Sequence, residues 1–352
     1  MVAEDFEFVV GVDTHRDTHT ASVVNAAGVV VGTLTVPAGD CGYRSLLEMA
    51  ICKTGGKRIW AVEGTRSYGL GLNRFLQAAG ETVVEIDVPK RSARKRGKSD
   101  SIDAERAARE AWGKQRLARP RADGEREALR ILLLTRAQLV EWRVEACSQI
   151  DNLVLGLPDG LRSRFSYSGS HSWERVLKAC AELEVPQGTG LELRVRIAAI
   201  RDLASRAQEA EQAADGYLRQ VVELMKTLAP QLLAETGVGP VTAAQVLLVW
   251  SHKGRMHSEA AFARMGGAAP LPASSGTVVR HRLSRLGDRQ LNSALTTIVN
   301  CRRRWHQETQ AYAARRAQEH MNDREINRCL KRYVARRLFK LLEYGSRTNV
   351  PA

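Results

Sequence analysis

Four carboxylates stand where a nuclease-type order of strands would gather them. Asp13 ends the apolar run from Phe8 to Val12, and Glu63 ends a second run, Ile59-Trp60-Ala61-Val62. Asp100 and Asp103 follow a basic stretch and lie three residues apart, so on a helix they share a face. An acid at the end of a buried strand is costly unless something pairs with it. Several such acids meeting in space make an oxygen-rich pocket suited to Mg²⁺. Two ions held there would activate an attacking oxygen and steady a leaving one, which is phosphodiester chemistry. Three of the acids also have a local explanation: Asp13 as a turn residue, Glu63 as a loop acid before Gly64-Thr65, and Asp100, or Ser99 in its place, as a helix N-cap. Those explanations leave unexplained why all four fall at the ends of elements.

A second group could act on phosphate. Ser274 and Ser275 sit in a loop bounded by Gly and Pro, followed by Arg280, Arg282, Arg285 and Arg289. A serine hydroxyl is a weak nucleophile unless activated. Arginines would stabilise a pentacovalent phosphate, and a metal would lower the hydroxyl pKa; a Ser-Ser-Gly is otherwise ordinary loop sequence. Lys90, Arg91, Arg94, Lys95, Arg96 and Lys98 form a basic stretch leading into Asp100, read as a phosphate-contacting loop rather than a merely solvated one. His15 and His19 lie four apart on a turn and strand, which is not the helical spacing of a zinc enzyme. Both are expected to bind phosphate or face solvent. The sequence holds no Walker A loop and no GxGxxG.

The elements that must position these residues follow from hydrophobic period and turn signals. Strands are expected at 7–13, from His19 to Asn25 and from Val29 to Val36, as an antiparallel meander. A helix from Asp40 to Lys53, a strand from Lys57 to Glu63, a helix from Tyr68 to Ala79, a strand from Glu81 to Asp87 and a helix from about Ser99 complete the first region. This order resembles the ribonuclease H-like fold, whose relatives include RuvC-type resolvases and many transposases. Helical periodicity dominates from about Glu125 to Leu157 and from about Leu191 to Leu228, with a loop-rich stretch at 158–190. Two long helices joined by a loop predict a hairpin or coiled-coil arm. Beyond Leu232, Gly237-Val238-Gly239-Pro240 resembles a helix-hairpin-helix turn, in which glycine backbone approaches a DNA phosphate. A helix from about Asp288 and a basic tail with Arg302-Arg303-Arg304, Arg315-Arg316 and Arg336-Arg337 follow. The fold class expected is α/β plus α: residues 1–124 a RuvC-like domain, 125–228 the helical arm and 229–352 a mainly helical C-terminal domain.

Composition narrows the partners. A formal net charge of +14 over 352 residues favours a polyanion, because the basic residues cluster. Binding to nucleic acid through on the order of six to ten phosphates would weaken by about 10³–10⁵ between 50 and 200 mM salt. No apolar run reaches the roughly 18 residues of a transmembrane helix, and the acidic start is unlike a signal peptide. The six scattered cysteines form no CxxC, which fits free thiols in a reducing cytoplasm.

Taken together, Gly11-Val12-Asp13-Thr14-His15, Val62-Glu63-Gly64 and Lys98-Ser99-Asp100-Ser101-Ile102-Asp103-Ala104 resemble the Asp-Glu-Asp-Asp motif of one transposase family, the one-hundred-and-ten family of bacterial insertion sequences. The C-terminal Gly237-Val238-Gly239-Pro240, Ala269-Pro270, Ser274-Ser275-Gly276 and Gly287-Asp288-Arg289 are similar to that family's second domain. The resemblance spans nearly the whole chain and implies a DNA transposase or recombinase. By it, Asp13, Glu63, Asp100 and Asp103 would bind Mg²⁺. Ser275 would attack DNA to form a phosphoserine link, with Ser274 as its rival. It also implies partners: the element's DNA ends and target, a structured guide RNA encoded by the element, and a second subunit in a homo-oligomer, dimer or tetramer, whose serine meets these acids. Such a protein is cytoplasmic and joins the nucleoid when acting.

Three other readings compete. A metal-dependent junction-resolving nuclease would use the acids alone, with water as nucleophile. An actin- or sugar-kinase-type ATPase would use Gly11-Val12-Asp13-Thr14 as a phosphate loop, but lacks its further Gly-rich turns. A non-catalytic nucleic-acid-binding protein would tolerate loss of Asp13 and Glu63.

Overall fold

The computed structural model describes residues 5–87, 99–165, 173–269, 271–272, 281–282 and 287–345, and divides the chain into two units, Met1–Ala122 and Asp123–Ala352.

The first unit is built on a five-stranded sheet in the order β3-β2-β1-β4-β5. β1 (Phe8–Thr14), β2 (Thr18–Asn25) and β3 (Val30–Pro37) form the expected antiparallel meander. β4 (Arg58–Glu63) returns parallel to β1, and β5 (Val83–Ile86) parallel to β4. Helices α1 (Asp40–Thr54), α2 (Leu70–Ala78) and α3 (Asp100–Gly113) flank the sheet.

Period-two alternation assigns the faces. Val10, Val12, Trp60 and Val62 pack with Leu46, Leu72 and Leu76 of α1 and α2. Val9, Ile59 and Ala61 pack with Ala107, Ala108 and Ala111 of α3. Asp13 and Glu63 continue the parity of Val9 and Ile59, so both are aimed to the α3 side. Because β1 and β4 are parallel, with Val12 opposite Val62, the two acids leave the sheet at the same edge.

Small residues bring α3 close. A Cβ at Gly11 would lie 2.1 Å from the Ala104 carbonyl oxygen and 2.4 Å from the Ala108 nitrogen. Only hydrogen at this position admits the helix backbone. Ala104, Ala107, Ala108 and Ala111 are all fully buried at this contact.

Among the described residues, the second unit is helical apart from a two-stranded ladder of β6 (Leu271–Pro272) and β7 (His281–Arg282). Its two long helices, α4 (Glu125–Leu155) and α7 (Leu191–Leu228), run antiparallel. Arg196 Nη1 donates to the Leu153 carbonyl at 3.2 Å, Arg143 meets Glu211 at 3.2 Å, and Leu129 shares a core with Met225. The intervening segment departs from the loop expected at 158–190. It contains α5 (Asp159–Arg162), a 3₁₀ turn at Ser163–Phe165 and α6 (Trp173–Ala181), whose Val176, Leu177 and Cys180 complete a core with Ile150, Ile197 and Ile200. The Gly and Pro residues that flank this helix masked its short period.

A second core in this unit surrounds α9 (Pro240–Trp250), an almost wholly apolar helix preceded by the short α8 (Pro230–Leu233). Around it lie α10 (Glu259–Met265), α11 (Arg289–Trp305), α12 (Gln307–Gln318) and α13 (Asp323–Tyr344). The buried Arg126 donates twice to the Leu248 carbonyl, at 2.8 and 3.3 Å, closing an end of α9 that would otherwise bury unsatisfied acceptors. All six cysteines are free thiols, and among the described residues no helix is long and apolar enough to cross a membrane.

Candidate metal centre

The site is assembled at the end of β1, where the α3 N-terminus meets the sheet edge. Ser99 is the helix N-cap, its Oγ accepting from the Ile102 N–H at 3.4 Å. Asp100 is therefore left to the first turn with its carboxylate unused by capping. Asp103 stands in the same turn, where the helix dipole favours negative charge. Thr14 Oγ1 donates to the Glu63 carbonyl at 3.0 Å and ties the ends of β1 and β4 together.

All four predicted acids converge, in two pairs. His15 Nε2 lies 3.2 Å from Asp13 Oδ2 and 3.4 Å from Asp100 Oδ1. One ligand atom each from Asp13, His15 and Asp100 lies within 4.8 Å of the others. Glu63 and Asp103 share Arg106 instead: its Nη2 bonds Glu63, and its Nε lies 3.5 Å from Asp103. On the far side, Arg106 Nη1 meets Glu110 at 3.3 Å.

The electrostatics are those of crowded negative charge. Burial raises the Glu63 carboxyl to about 7; the nearby Asp13 and Asp103 add to the rise and Arg106 opposes it. Burial also raises the Asp13 carboxyl, with Asp103 and Asp100 pushing the same way and His15 against. Asp13 is 7 % and Glu63 5 % exposed, so water screens neither fully. Hard oxygen donors and, among the described residues, more negative charge than the neighbouring cations offset together fit a divalent ion. Among the described residues, Asp13, His15 and Asp100 are those whose atoms are close enough to begin holding one, and an imidazole in the set is a donor that Mn²⁺ or Zn²⁺ accepts more readily than Mg²⁺.

Sequence reasoning did not name Arg106 here and did not foresee the carboxylate partners of His15. Arg106 is three residues beyond Asp103 and four before Glu110, a spacing that places its guanidinium between acids on one helix face. His15 is exposed, in keeping with the solvent-facing expectation, and also lies against the Asp13 and Asp100 carboxylates. His19 corrects that expectation outright. It is fully buried, stacks on Tyr43 at 5.6 Å between ring centroids, and its Nδ1 bonds the Thr18 carbonyl oxygen. β2 is buried on both faces, and His19 falls on the phase of Ala21 and Val23, which faces Tyr43 of α1.

Lys90, Arg91, Arg94, Lys95, Arg96, Lys98, Ser274, Ser275, Arg280 and Arg285 are outside the described residues. Arg282 belongs to β7, and Arg289 opens α11 with an exposed side chain. The Gly237-Val238-Gly239-Pro240 turn has an internal reason for its glycines. Gly237, at φ 78°, packs against α11, with the Ile298 carbonyl 3.3 Å from where a Cβ would stand. The Gly239 N–H is already taken by Thr242 Oγ1 at 3.1 Å.

Comparison with known families agrees with this geometry. Residues 10–157 match the DEDD transposase model of the IS110 group, and residues 229–314 match the model described as Transposase IS116/IS110/IS902 family. No curated protein matches the chain. The first match contains all four acids, and a DEDD transposase implies a divalent metal and DNA as the substrate. With both models matched in chain order, the chain belongs to the IS110 family of DNA transposases.

Proposed function

We propose that this transposase is a recombinase that cleaves and rejoins DNA with an N-terminal acidic metal site and a C-terminal serine. One observation carries the reading: Asp13 and Asp100 converge beside Glu63 and Asp103 at one sheet edge, with burial holding the Asp13 and Glu63 carboxyls above their ordinary range. Asp13, Glu63, Asp100 and Asp103 would hold Mg²⁺. The antiparallel meander followed by two parallel strands supports a ribonuclease H-like, RuvC-like domain over 1–124. The long antiparallel helix pair supports an arm over 125–228, leaving 229–352 as the transposase domain that carries the serine.

A bound divalent cation supplies charge neutralisation at the phosphate and a lowered pKa for a nearby hydroxyl. The carboxylates hold it and exclude competing anions from the sheet edge. Ser275 Oγ then bonds to phosphorus as its proton leaves. The P–O bond to one deoxyribose oxygen breaks, and that oxygen leaves protonated. The resulting phosphoserine conserves the bond energy for rejoining, when a DNA hydroxyl displaces Ser275. A structured guide RNA and a homo-oligomer in which one subunit's acids serve another's serine are part of the reading. The +14 charge is compatible with a nucleic-acid load of that size.

Trapping decides it. The full chain, with its element's DNA and flanking RNA, is denatured in mid-reaction and examined for protein covalently bound to DNA. A DNA-linked band is expected for wild type and Ser274→Ala, and none for Ser275→Ala or Asp13→Asn. If Ser275→Ala still cuts DNA with no linked band in any variant, water is the nucleophile and the chain is a resolving nuclease.

A further inference from the structure

The acid cluster contains a cation of its own. Arg106 joins Glu63 to Asp103 across the gap between β4 and α3. The contact is uneven: Nη2 donates to Glu63, whereas Nε, sealed from solvent, makes no hydrogen bond among the described residues and stands 3.5 Å from Asp103. A third carboxylate waits one turn on. Glu110 Oε2 already meets Arg106 Nη1 at 3.3 Å, while its other oxygen is held by Lys114 at 2.5 Å. A long side chain on a helix can pass between neighbours three and four residues away without moving the backbone.

We propose that Arg106 is an exchangeable counter-ion for the metal centre: it holds Glu63 and Asp103 together before a divalent cation arrives, yields them to the cation, and withdraws onto Glu110. This rests on the reading of these acids as metal ligands. The physical reason is charge. The buried Glu63 and the partly buried Asp103, facing one another without a cation, would repel and turn outward, so the empty site needs a placeholder. A monovalent guanidinium with one unsatisfied donor is a placeholder that a divalent ion outcompetes. Arg106 is thus a positioning residue; its cost is competition with the ion it prepares for.

Mn²⁺ binding to the full chain, by calorimetry and by loss of the free-ion paramagnetic signal, tests this beside melting temperature without metal. Arg106→Gln is expected to melt lower than wild type in the metal-free state and to bind Mn²⁺ roughly tenfold tighter, because a competing charge is gone. Glu110→Gln is expected to bind Mn²⁺ a few-fold more weakly, since Arg106 loses its alternative partner. Unchanged or weaker Mn²⁺ binding in Arg106→Gln overturns the proposal. Should that variant not fold, Arg106→Lys decides: a single ammonium bridges two carboxylates less well, so tighter binding supports exchange and equal or weaker binding overturns it. Asp13→Asn keeps the two questions apart. If it binds Mn²⁺ as wild type does, the metal reading itself has failed; if it loses binding while Arg106→Gln matches wild type, only the exchange has.

Discussion

The acidic edge of the first unit and the basic helices of the second treat charge in opposite ways. At the sheet edge, among the described residues, four carboxylates share Arg106 and His15. In the C-terminal helices the cations are in excess by sequence, yet many are matched within the unit. Arg302 and Arg337 both meet Glu235, at 3.0 and 2.8 Å, Arg303 meets Asp323 at 2.7 Å, and Arg336 meets Glu259 at 2.8 Å. Crowded like charges raise the free energy of the fold and wait for an outside partner, whereas paired opposite charges are already satisfied. Count of charges alone therefore misleads: the tail's arginines in these pairs act first as packing, and the smaller set of acids is the stronger pointer to function.

The comparison breaks most sharply at Asp13. Asp13→Asn should reduce DNA strand cleavage by about 10³-fold or more, because several kcal/mol of transition-state stabilisation depend on the ion. Glu235→Gln should leave cleavage per folded molecule unchanged. Equal losses in the two variants would mean that the acids are structural too.

Next in size is Gly11→Val. With Ala104 and Ala108 backbone already in the way of a Cβ, α3 must shift from the sheet and carry Asp100 and Asp103 with it. A stability loss of about 3 kcal/mol is expected in denaturant unfolding, with Mn²⁺ affinity lost in parallel. Retained affinity would show that the acids do not depend on this contact.

The pH dependence sharpens the contrast. Glu63 has its carboxyl raised from 4.5 to about 7, so the metal-free folded protein holds that proton more tightly than the unfolded chain does. Its contribution to stability is fully present below about 4.5 and is lost as pH rises through about 7. Melting temperature without metal should fall across that window, and Mg²⁺ should restore it at the upper end. A Glu63→Gln protein should show a flatter profile; an unchanged slope would assign the effect to another group.

The second unit gives smaller effects. Glu235→Gln should cost about 1–3 kcal/mol in thermal unfolding, since it leaves the largely buried Arg302 short of a charge-assisted partner. Arg304 is exposed and enters none of the pairs above. Its alanine variant should lower the salt slope of DNA binding by about one, while Arg303→Ala changes stability more than slope. The reverse order would place the phosphate contact on the paired residue.

Much of the first unit was legible in advance because its signals are local. The apolar runs ending at Asp13 and Glu63 specified two strands, and Gly28 and Gly80 marked where elements stop. The convergence of Asp13, Glu63, Asp100 and Asp103 followed from strand order. Arg106 and His15 were not legible as members of the site, because an arginine on a charged helix and a histidine in a turn look the same whether or not carboxylates converge on them. His19 was misjudged for a related reason: burial of a polar ring depends on Tyr43 arriving from another element. The helix Trp173–Ala181 was hidden among Gly and Pro residues, and its apolar face has meaning only against Ile150 and Ile197.

The chain's own pattern determined the elements, their order and the four acids at their ends, since hydrophobic period and turn chemistry act between residues near in sequence. Tertiary structure alone decided how those acids are shared: Asp13 and Asp100 with His15, Glu63 and Asp103 with Arg106. That division depends on distances across the sheet edge, set by how closely α3 settles on Gly11. Charge interactions vary steeply with such distances in a buried place, and no periodicity in the sequence encodes them.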